Sequence, residues 1–388
     1  MNSFVSILRK YTVAMVMNFI GLTLGFTACS DDNAVLPPGE DNHYIPPTSE
    51  DVTQPEGQTC FVVTQGNQGY GISGEIDGLN TVKHTSASDL FFKKNQLGLG
   101  ETPQAPVRYG SRIYVPVFES NCVWVLDAAT LRAEKQIETN APEAVCGGEG
   151  YVVVANNDGF VTRIDTLDLS VSEPLAVGPN PAGVAITGGK AYVSISDGYN
   201  WANNYANGKQ VVAVDVKNWT KAATYSVGLN PGAVEADEAG RVYVLCRGNY
   251  GDVPMTVERL TDDLSSETLV TGASLLMKMN KSVLWFLDTV TDWTTNVSET
   301  KLYTLDCLTD RVSERALLPA DEDAEDAAWL PVSPTFLEVN PRSGALFIGS
   351  LQSAYGYANP GFVYEYNSEG LFQFRYSVGV MPFGMVFK

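Results

Sequence analysis

Hydrophobic and polar positions along this chain follow one sequence pattern that repeats over most of its length. A proline-containing turn leads into a short apolar stretch, a glycine turn follows, and a burst such as Tyr-Val precedes an apolar run ending in Asp. The alternation within each piece is typical of short, half-buried β-strands. The copies are GSRIYVPV at 110–117 with VWVLDAAT at 123–130, YVVVA at 151–155 with VTRIDT at 161–166, GVAITGGKAYVSIS at 183–196 with VVAVDV at 211–216, GAVEADEAGRVYVLC at 232–246, VLWFLD at 283–288 with LYTLDC at 302–307, and ALFIGS at 345–350 with FVYEY at 362–366. Repeats of about 40–60 residues built from short strands predict a propeller or a solenoid.

We interpret the repeat as an all-β, seven-bladed β-propeller, each blade having four antiparallel strands from a (innermost) to d (outermost). The b strands are predicted near 60–64, 112–117, 150–155, 190–195, 241–246, 282–287 and 345–350. Innermost strands are predicted near 105–109, 142–146, 182–187, 232–236, 272–279 and 334–339. The C-terminal MPFGMVF at 381–387 resembles PAGVA at 181–185, so we expect it to join the blade that begins at Cys60 and close the ring. Irregular stretches at 60–95 and 308–341 leave six or eight blades as alternatives.

The N-terminal residues read as a targeting segment. Arg9 and Lys10 precede an apolar stretch at 12–28 that is short for a membrane span, so residues 1–28 are predicted to be a signal peptide. The sequence at 26–29, FTAC, resembles a bacterial lipobox in which Cys29 becomes lipidated; an ordinary signal peptide and an uncleaved anchor are the alternatives. The SDDN that follows resembles a surface-export signal of Bacteroides-type lipoproteins. Residues 29–58 are rich in Pro, Asp and Glu and predict a flexible tether, and 59–388 a single propeller domain.

Charge and cysteine usage exclude some functions. The chain carries 25 Lys and Arg against 45 Asp and Glu, a net charge of −20, which would repel a nucleic-acid backbone. No two cysteines have CxxC spacing, so a zinc site is unsupported. Five cysteines follow Cys29, an odd number that argues against a complete disulfide framework and leaves one bridge open.

Residues that usually carry catalysis are scarce. The only histidines are His43 in the tether and His84 near the outer part of the first blade, so no histidine cluster or catalytic triad is expected. There is no Gly-rich phosphate loop and no cofactor motif, and we expect neither a cofactor nor a metal. The acidic run at 321–326 lacks the spacing of a calcium loop and predicts a solvated loop. Four Asp residues end equivalent c strands and are predicted to cap turns: Asp127, Asp165, Asp215 and Asp306.

The b–c loops are the most suggestive segments. In a propeller they share one face around the channel mouth, and here they are long and aromatic, at 65–70, 197–208, 247–252, 288–300 and 351–361. The predicted ligand-binding residues on this rim are Tyr70, Tyr199, Trp201, Tyr205, Tyr250, Trp293, Tyr355 and Tyr357, with Arg247 and Arg112 as positive charges. Interspersed amides are Asn67, Asn200, Asn203, Asn204, Asn249 and Asn359. Aromatic faces and amides suit a large, partly apolar ligand, although tyrosines that merely pack the loops together are the alternative.

The repeated pattern resembles that of the YncE-like, surface-layer-type seven-bladed propellers. The resemblance lies in the Pro-x-Gly-Val turns, the GKAYV segment at 189–193 and the Val-Asp strand endings. The segment at 91–130 is similar to propeller lipoproteins of gut Bacteroides-type bacteria. Some of those bind cobalamin at the cell surface and sit on a TonB-dependent transporter. The resemblance therefore implies a corrinoid ligand and such a transporter as partner.

Taken together, these patterns predict a non-enzymatic surface receptor, lipid-anchored in the outer membrane, that captures a nutrient. A carbohydrate- or protein-binding scaffold using the same face is the alternative, and a propeller lyase or hydrolase is the least favoured reading. Membrane contact is expected only through the lipid anchor. The tripeptides DTL at 165–167 and DTV at 288–290 resemble O-glycosylation sites of Bacteroides-type secreted proteins, or are strand endings by chance.

Overall fold

The computed structural model describes residues 59–272, 276–292, 297–320, 329–353 and 356–388. Its strands form seven four-stranded antiparallel sheets, which confirms the seven-bladed propeller. Each sheet is named here as a blade, and its strands follow from the inside outward. Blade 1 has β28 (Pro382–Phe387), β1 (Cys60–Thr64), β2 (Glu75–Asn80) and β3 (Thr85–Ala87). Blade 2 has β4 (Val107–Tyr109), β5 (Arg112–Val117), β6 (Cys122–Asp127) and β7 (Ala133–Glu138).

The remaining five blades follow the same order along the chain. Blade 3 has β8 (Pro142–Gly148), β9 (Tyr151–Asn156), β10 (Phe160–Asp165) and β11 (Leu175–Ala176). Blade 4 has β12 (Pro181–Thr187), β13 (Lys190–Ile195), β14 (Gln210–Asp215) and β15 (Thr220–Ser226). Blade 5 has β16 (Pro231–Ala236), β17 (Val242–Cys246), β18 (Thr256–Leu260) and β19 (Ser266–Thr271). Blade 6 has β20 (Leu276–Asn280), β21 (Val283–Asp292), β22 (Val297–Asp306) and β23 (Arg311–Arg315), and blade 7 has β24 (Ser333–Val339), β25 (Leu346–Leu351), β26 (Pro360–Tyr366) and β27 (Phe372–Val380).

The ring closes as the sequence predicts, with β28 pairing antiparallel to β1. Cys60 lies opposite Phe387, and the Lys388 amide donates to the Thr59 carbonyl at 2.9 Å. This pairing covers the open edge of β1, which would otherwise expose a row of unpaired backbone groups. Every described strand of the ring lies between Cys60 and Phe387.

The proline-led turn has a consistent structural role. The residue before the proline takes a left-handed conformation at Ala141, Asn180, Asn230 and Met381, so the chain bends sharply into the innermost strand. In five blades the register of that strand then shifts near its proline. Such bulges bend a strand and increase its twist, which suits the crowded axis of a propeller.

The four strand-ending aspartates cap turns, as predicted. Asp127 accepts hydrogen bonds from the backbone amides of Ala129 and Thr130, and Asp165 accepts one from Leu167. Asp215 and Asp306 make the same kind of contact with the residues two or three positions on. The repeated Asp is therefore a feature of the fold.

The core consists of apolar clusters between adjacent blades. One short helix, α1 (Leu90–Asn95), lies between blades 1 and 2 and was not predicted. Its Phe91 packs on Trp124 with ring centroids 5.2 Å apart, inside the cluster that holds Val115. The Asn95 side chain accepts a hydrogen bond from the Ala133 amide and so ties α1 to β7. The helix thus packs beside β2 and joins the cores of blades 1 and 2.

Two negative results apply to the described part of the chain. Its five cysteines are all free, so the disulfide that the sequence left open is not formed among them. None of its helices has the length and apolar character needed to cross a membrane.

Candidate functional site

Strand direction divides the propeller into two faces. The b–c loops and the connections from d to the next a strand lie at one end of the channel, which we call the loop face. The a–b and c–d turns lie at the other end, the turn face. The long loops at 65–74, 196–209, 247–255 and 352–359 all connect b to c strands and therefore lie on the loop face, as predicted.

Arg247 lies on the loop face, beside the innermost strand of blade 5. It follows β17, and its guanidinium lies directly over Gly232 of β16, where an added Cβ would come within 2.7 Å of the Arg247 Cζ. From blade 3, Glu143 interacts electrostatically with this guanidinium. Burial raises the pKa of Glu143 to about 7, while Arg247 and a hydrogen bond with Asn157 oppose the rise. The Arg247 cation and the Glu143 carboxyl group thus lie within electrostatic range of each other at the channel mouth, and Glu143 can gain or lose its proton near neutral pH.

Two tyrosines flank this pair. Tyr205 from blade 4 and Tyr250 from blade 5 meet edge to face, with ring centroids 6.2 Å apart. The Tyr250 hydroxyl lies 3.5 Å from the Asn230 side-chain amide, and burial raises the pKa of Tyr250 to about 12. Burial also raises the pKa of Tyr205, against the attraction of Arg247. Both phenols therefore stay neutral hydrogen-bonding groups beside the arginine.

Three further aromatic side chains of this face are exposed to solvent. The exposed fractions are 66% for Tyr70, 52% for Tyr199 and 58% for Trp201. Burial of its hydroxyl end raises the pKa of Tyr199 to about 12, and the negative charges of Glu143 and Glu119 add to the effect. Tyr199 is therefore partly exposed and close enough to Glu143 to feel its charge.

The loop that carries Tyr199 and Trp201 is held by internal hydrogen bonds. The buried Asp197 carboxylate accepts from the Asn200 side chain and the Asn207 amide, both at 2.8 Å. Gly208 passes so close to Ser196 that a Cβ would lie 2.0 Å from the Ser196 carbonyl oxygen. These contacts fix the loop before any ligand arrives, which reduces the entropy cost of binding.

Most rim amides serve the loops. Asn67 donates to the Tyr357 carbonyl, Asn203 to Asn200, and Asn249 to Asp252. Each of these three side chains therefore uses one of its amide N–H groups within the loops.

The remaining predicted residues fall into three groups. Tyr357 packs on a small cluster of Leu351, Val380 and Met381 between blades 7 and 1, which matches the packing alternative. Arg112 begins β5 and so lies on the turn face, where it pairs with Glu134 at 2.5 Å; its proposed place on the rim was wrong. Trp293 and Tyr355 lie outside the described residues, as does the acidic run at 321–326.

Sequence reasoning missed four residues of the site: Glu143, Asn157, Asn180 and Asn230. The Asn180 side chain donates to Asn157 and accepts a hydrogen bond from the Tyr199 amide. Asn180 and Asn230 each precede a strand-leading proline, and Glu143 follows one. The proline-led turn was therefore a signal for the site as well as for the fold, because it places its neighbours at the channel mouth.

The described residues offer limited reactive chemistry. No group of three or more His, Cys, Asp or Glu side chains among them is arranged to hold a metal ion. Burial raises the pKa of the thiols, to about 12 for Cys60 and about 11 for Cys122 and Cys146, so these cysteines are protonated at neutral pH. His84 lies on a turn between β2 and β3, where its ring contacts the Tyr376 hydroxyl, far along the blade from the channel mouth.

Comparisons with known proteins support the fold. No protein-family model and no curated protein matches the chain. A quinonprotein alcohol dehydrogenase-like protein from Bacteroides thetaiotaomicron is a similar solved structure, with TM-score 0.55 and 15% identity over 85% of this chain and 78% of that one. A protein from Bacteroides fragilis described as a candidate 6-phosphogluconolactonase has TM-score 0.56 and 12% identity, over 87% and 100%. Hydrazine synthase from Kuenenia stuttgartiensis has TM-score 0.53 and 16% identity, over 66% and 74%. At these identities the likeness establishes a common propeller fold and nothing about activity.

Proposed function

We propose that this chain is a non-enzymatic binding protein whose loop face captures a large, partly apolar, hydrogen-bonding ligand. The observation that carries the proposal is the proximity of Arg247, Tyr205, Tyr250 and Glu143 on the face that also carries the exposed rings of Tyr199 and Trp201. Flat aromatic surfaces supply contact area at low entropy cost, and a few convergent polar groups orient a ligand.

A corrinoid is the ligand that we favour. Its ring edges would contact the exposed aromatic side chains, and its amide groups would find hydrogen-bonding partners in Arg247 and the phenols of Tyr205 and Tyr250. Since several rim asparagines already bond within their loops, these three residues carry the polar recognition in the proposal. The sequence resemblance to cobalamin-binding propeller lipoproteins is the second support.

The proposal extends to location and partner. We place the chain on the outer surface of the outer membrane, anchored through lipid on Cys29, with a TonB-dependent transporter that receives the ligand. This part rests on the sequence at 26–33. Metabolic labelling with a palmitate analogue tests it, since a Cys29→Ser variant should lose the label, and a label retained by that variant contradicts it.

Calorimetric titration of residues 59–388 with cyanocobalamin tests the ligand. We expect one-to-one binding that weakens at least tenfold when Trp201 and Tyr205 are both changed to Ala, while the unfolding temperature stays nearly constant. Leu308→Ala, at an exposed position on the turn face, is the matched control and should bind as the wild type does. An absence of binding at high micromolar cyanocobalamin would remove the corrinoid, and a variant that loses stability but keeps its affinity would show that the loop aromatics only pack.

Two observations each favour another function for the same face. The exposed flat rings of Tyr70 and Trp201 would also stack on sugars, so a glycan array is the next screen if cyanocobalamin fails. The near-neutral pKa of Glu143 beside Arg247 suits acid–base catalysis by a lyase or hydrolase. Substrate turnover that Glu143→Gln abolishes, with ligand binding retained, would establish the enzyme.

A further inference from the structure

The opposite end of the channel holds a cavity that the proposed function does not use. It opens on the turn face, has a volume of about 1010 Å³, and is lined by residues of blades 1, 2, 5, 6 and 7. This volume is at the upper end of the range for small-molecule sites. Arg247 and the loop aromatics lie at the other mouth, so the two sites are separate.

Positive side chains form an arc along one side of this cavity. They come from four consecutive blades, at or just after the ends of the innermost strands: Lys281 (blade 6), Arg342 (blade 7), Lys388 (blade 1) and Arg108 (blade 2). Arg108 is positioned by its hydrogen bond to the Phe387 carbonyl at 3.0 Å. Lys281 and Arg342 are exposed and form no salt bridge with any residue in the described ranges.

A fifth cation lies deeper, between two carboxylates. The Lys278 ammonium is 3.0 Å from Glu338 and 3.8 Å from Glu235, on the two neighbouring blades. Burial opposes the charge of Lys278, but Glu338 and Glu235 outweigh it and raise its pKa. Burial raises the pKa of Glu235 to about 7, against the attraction of Lys278, so this carboxyl group is partly protonated near neutral pH.

The acids of the lining leave the arc largely uncompensated. Asp237 is buried and bonded to Arg241, and Glu235 and Glu338 share Lys278. Glu238 is the exposed acid of the lining, and it lies on blade 5, beyond the end of the arc. The lining as a whole holds five Lys and Arg side chains and four Asp and Glu side chains, but three of those acids are already paired with Lys278 or Arg241. The side chains left to face the cavity are therefore mainly positive, and such a surface attracts anions.

We propose that the turn-face cavity is a second binding site, for a small organic anion with two or more negative charges, held by Lys281, Arg342, Lys388 and Arg108. Singly charged anions engage too few of the four side chains to bind well. Phosphate groups and clustered carboxylates share the required chemistry, because both accept hydrogen bonds from guanidinium and ammonium donors.

Calorimetry on residues 59–388 tests the site with citrate, pyrophosphate and acetate as probes, at constant ionic strength. Citrate or pyrophosphate should bind at one site, and acetate should give no saturable heat. Lys281→Gln combined with Arg342→Gln should weaken binding at least tenfold, because both side chains are exposed and their loss leaves the fold intact. Lys217→Gln combined with Lys221→Gln changes two exposed lysines of blade 4 outside the cavity; this charge-matched control should bind as the wild type does.

The outcomes separate this site from the loop face. Arg247→Gln should leave citrate and pyrophosphate binding unchanged whatever it does to cyanocobalamin. Binding of neither probe, equal binding of acetate, or full binding by the double variant would each overturn the proposal. Selective binding of pyrophosphate or of citrate would identify the phosphate or the carboxylate form of the ligand.

Discussion

Asp77 makes stability depend on pH in a direction opposite to that of most carboxylates. It lies on β2, is 1% exposed, and accepts backbone hydrogen bonds from Gly379 of blade 7 at 2.7 Å and from Asp89 at 2.9 Å. Burial nevertheless raises its pKa to about 6, from an ordinary value of 3.8. The folded state therefore binds this proton more tightly than the unfolded state, and the resulting stability is present at low pH and lost as pH rises through 6.

The magnitude follows from the two pKa values. A tenfold change in proton affinity is worth ~1.4 kcal/mol, so full ionisation of Asp77 costs the folded state ~3 kcal/mol. The part that falls between pH 5 and pH 8 is ~1.4 kcal/mol by the same linkage. Burial raises the pKa of the neighbouring Glu75 to about 7, and the charge of Asp77 adds to the rise, so removing that charge reduces the pH dependence of Glu75 as well.

Reversible urea unfolding at pH 5 and at pH 8, followed by tryptophan fluorescence, measures the effect. Wild-type protein should lose more stability between these pH values than Asp77→Asn, by ~1.4 kcal/mol or more. Asn keeps one acceptor oxygen, but its NH₂ group faces the second backbone N–H, so the variant should be less stable than the wild type at both pH values. The diagnostic quantity is therefore the change in unfolding free energy between pH 5 and pH 8. Glu369→Gln, at an exposed turn position, is the control and should preserve the wild-type difference. An equal pH dependence in wild type and Asp77→Asn would refute the argument.

Two further predictions concern the site and the core. Gly232→Ala should displace the Arg247 guanidinium, since the new Cβ would lie 2.7 Å from Cζ. We expect cyanocobalamin binding, measured by calorimetry, to weaken about tenfold, or ~1.4 kcal/mol, while the unfolding temperature changes little. Unchanged affinity would mean that Arg247 does not contact the ligand. Phe286→Ala should cost ~3–5 kcal/mol in urea unfolding, because the ring is fully buried and stacks on Tyr303 at 5.4 Å. A loss below ~1 kcal/mol would contradict the buried, stacked position of Phe286 in blade 6.

Much of the fold was predictable because it is encoded locally. Strand alternation and turn residues repeat in every blade, so the predicted b strand at 190–195 coincides with β13, and the match between 381–387 and the proline-led turns identified the closing strand. Helix α1 was not predicted, since its six residues carry no period long enough to recognise and its stability comes from packing between two blades.

The candidate site was harder to predict for a different reason. Loop aromatics identify a face, and Tyr205, Tyr250 and Arg247 do meet there. Which of them contact one another depends on how blades 3, 4 and 5 are placed around the ring, and no single segment encodes that placement. For the same reason Glu143 was missed, and Tyr357 could not be distinguished from a packing residue before its neighbours were known.

The position of Thr59 determines how an anchored molecule would stand. Its carbonyl accepts a hydrogen bond from the Lys388 amide at the turn face, so the described part of the chain begins on the side opposite the aromatic loops. The 30 residues from Cys29 to Gln58 span at most about 100 Å when fully extended. With lipid on Cys29, the point of attachment would therefore lie on the face opposite the aromatic loops. Delivery to a transporter in the same membrane would then require the propeller to turn on its tether, so variants with a shortened tether would test transfer separately from ligand affinity.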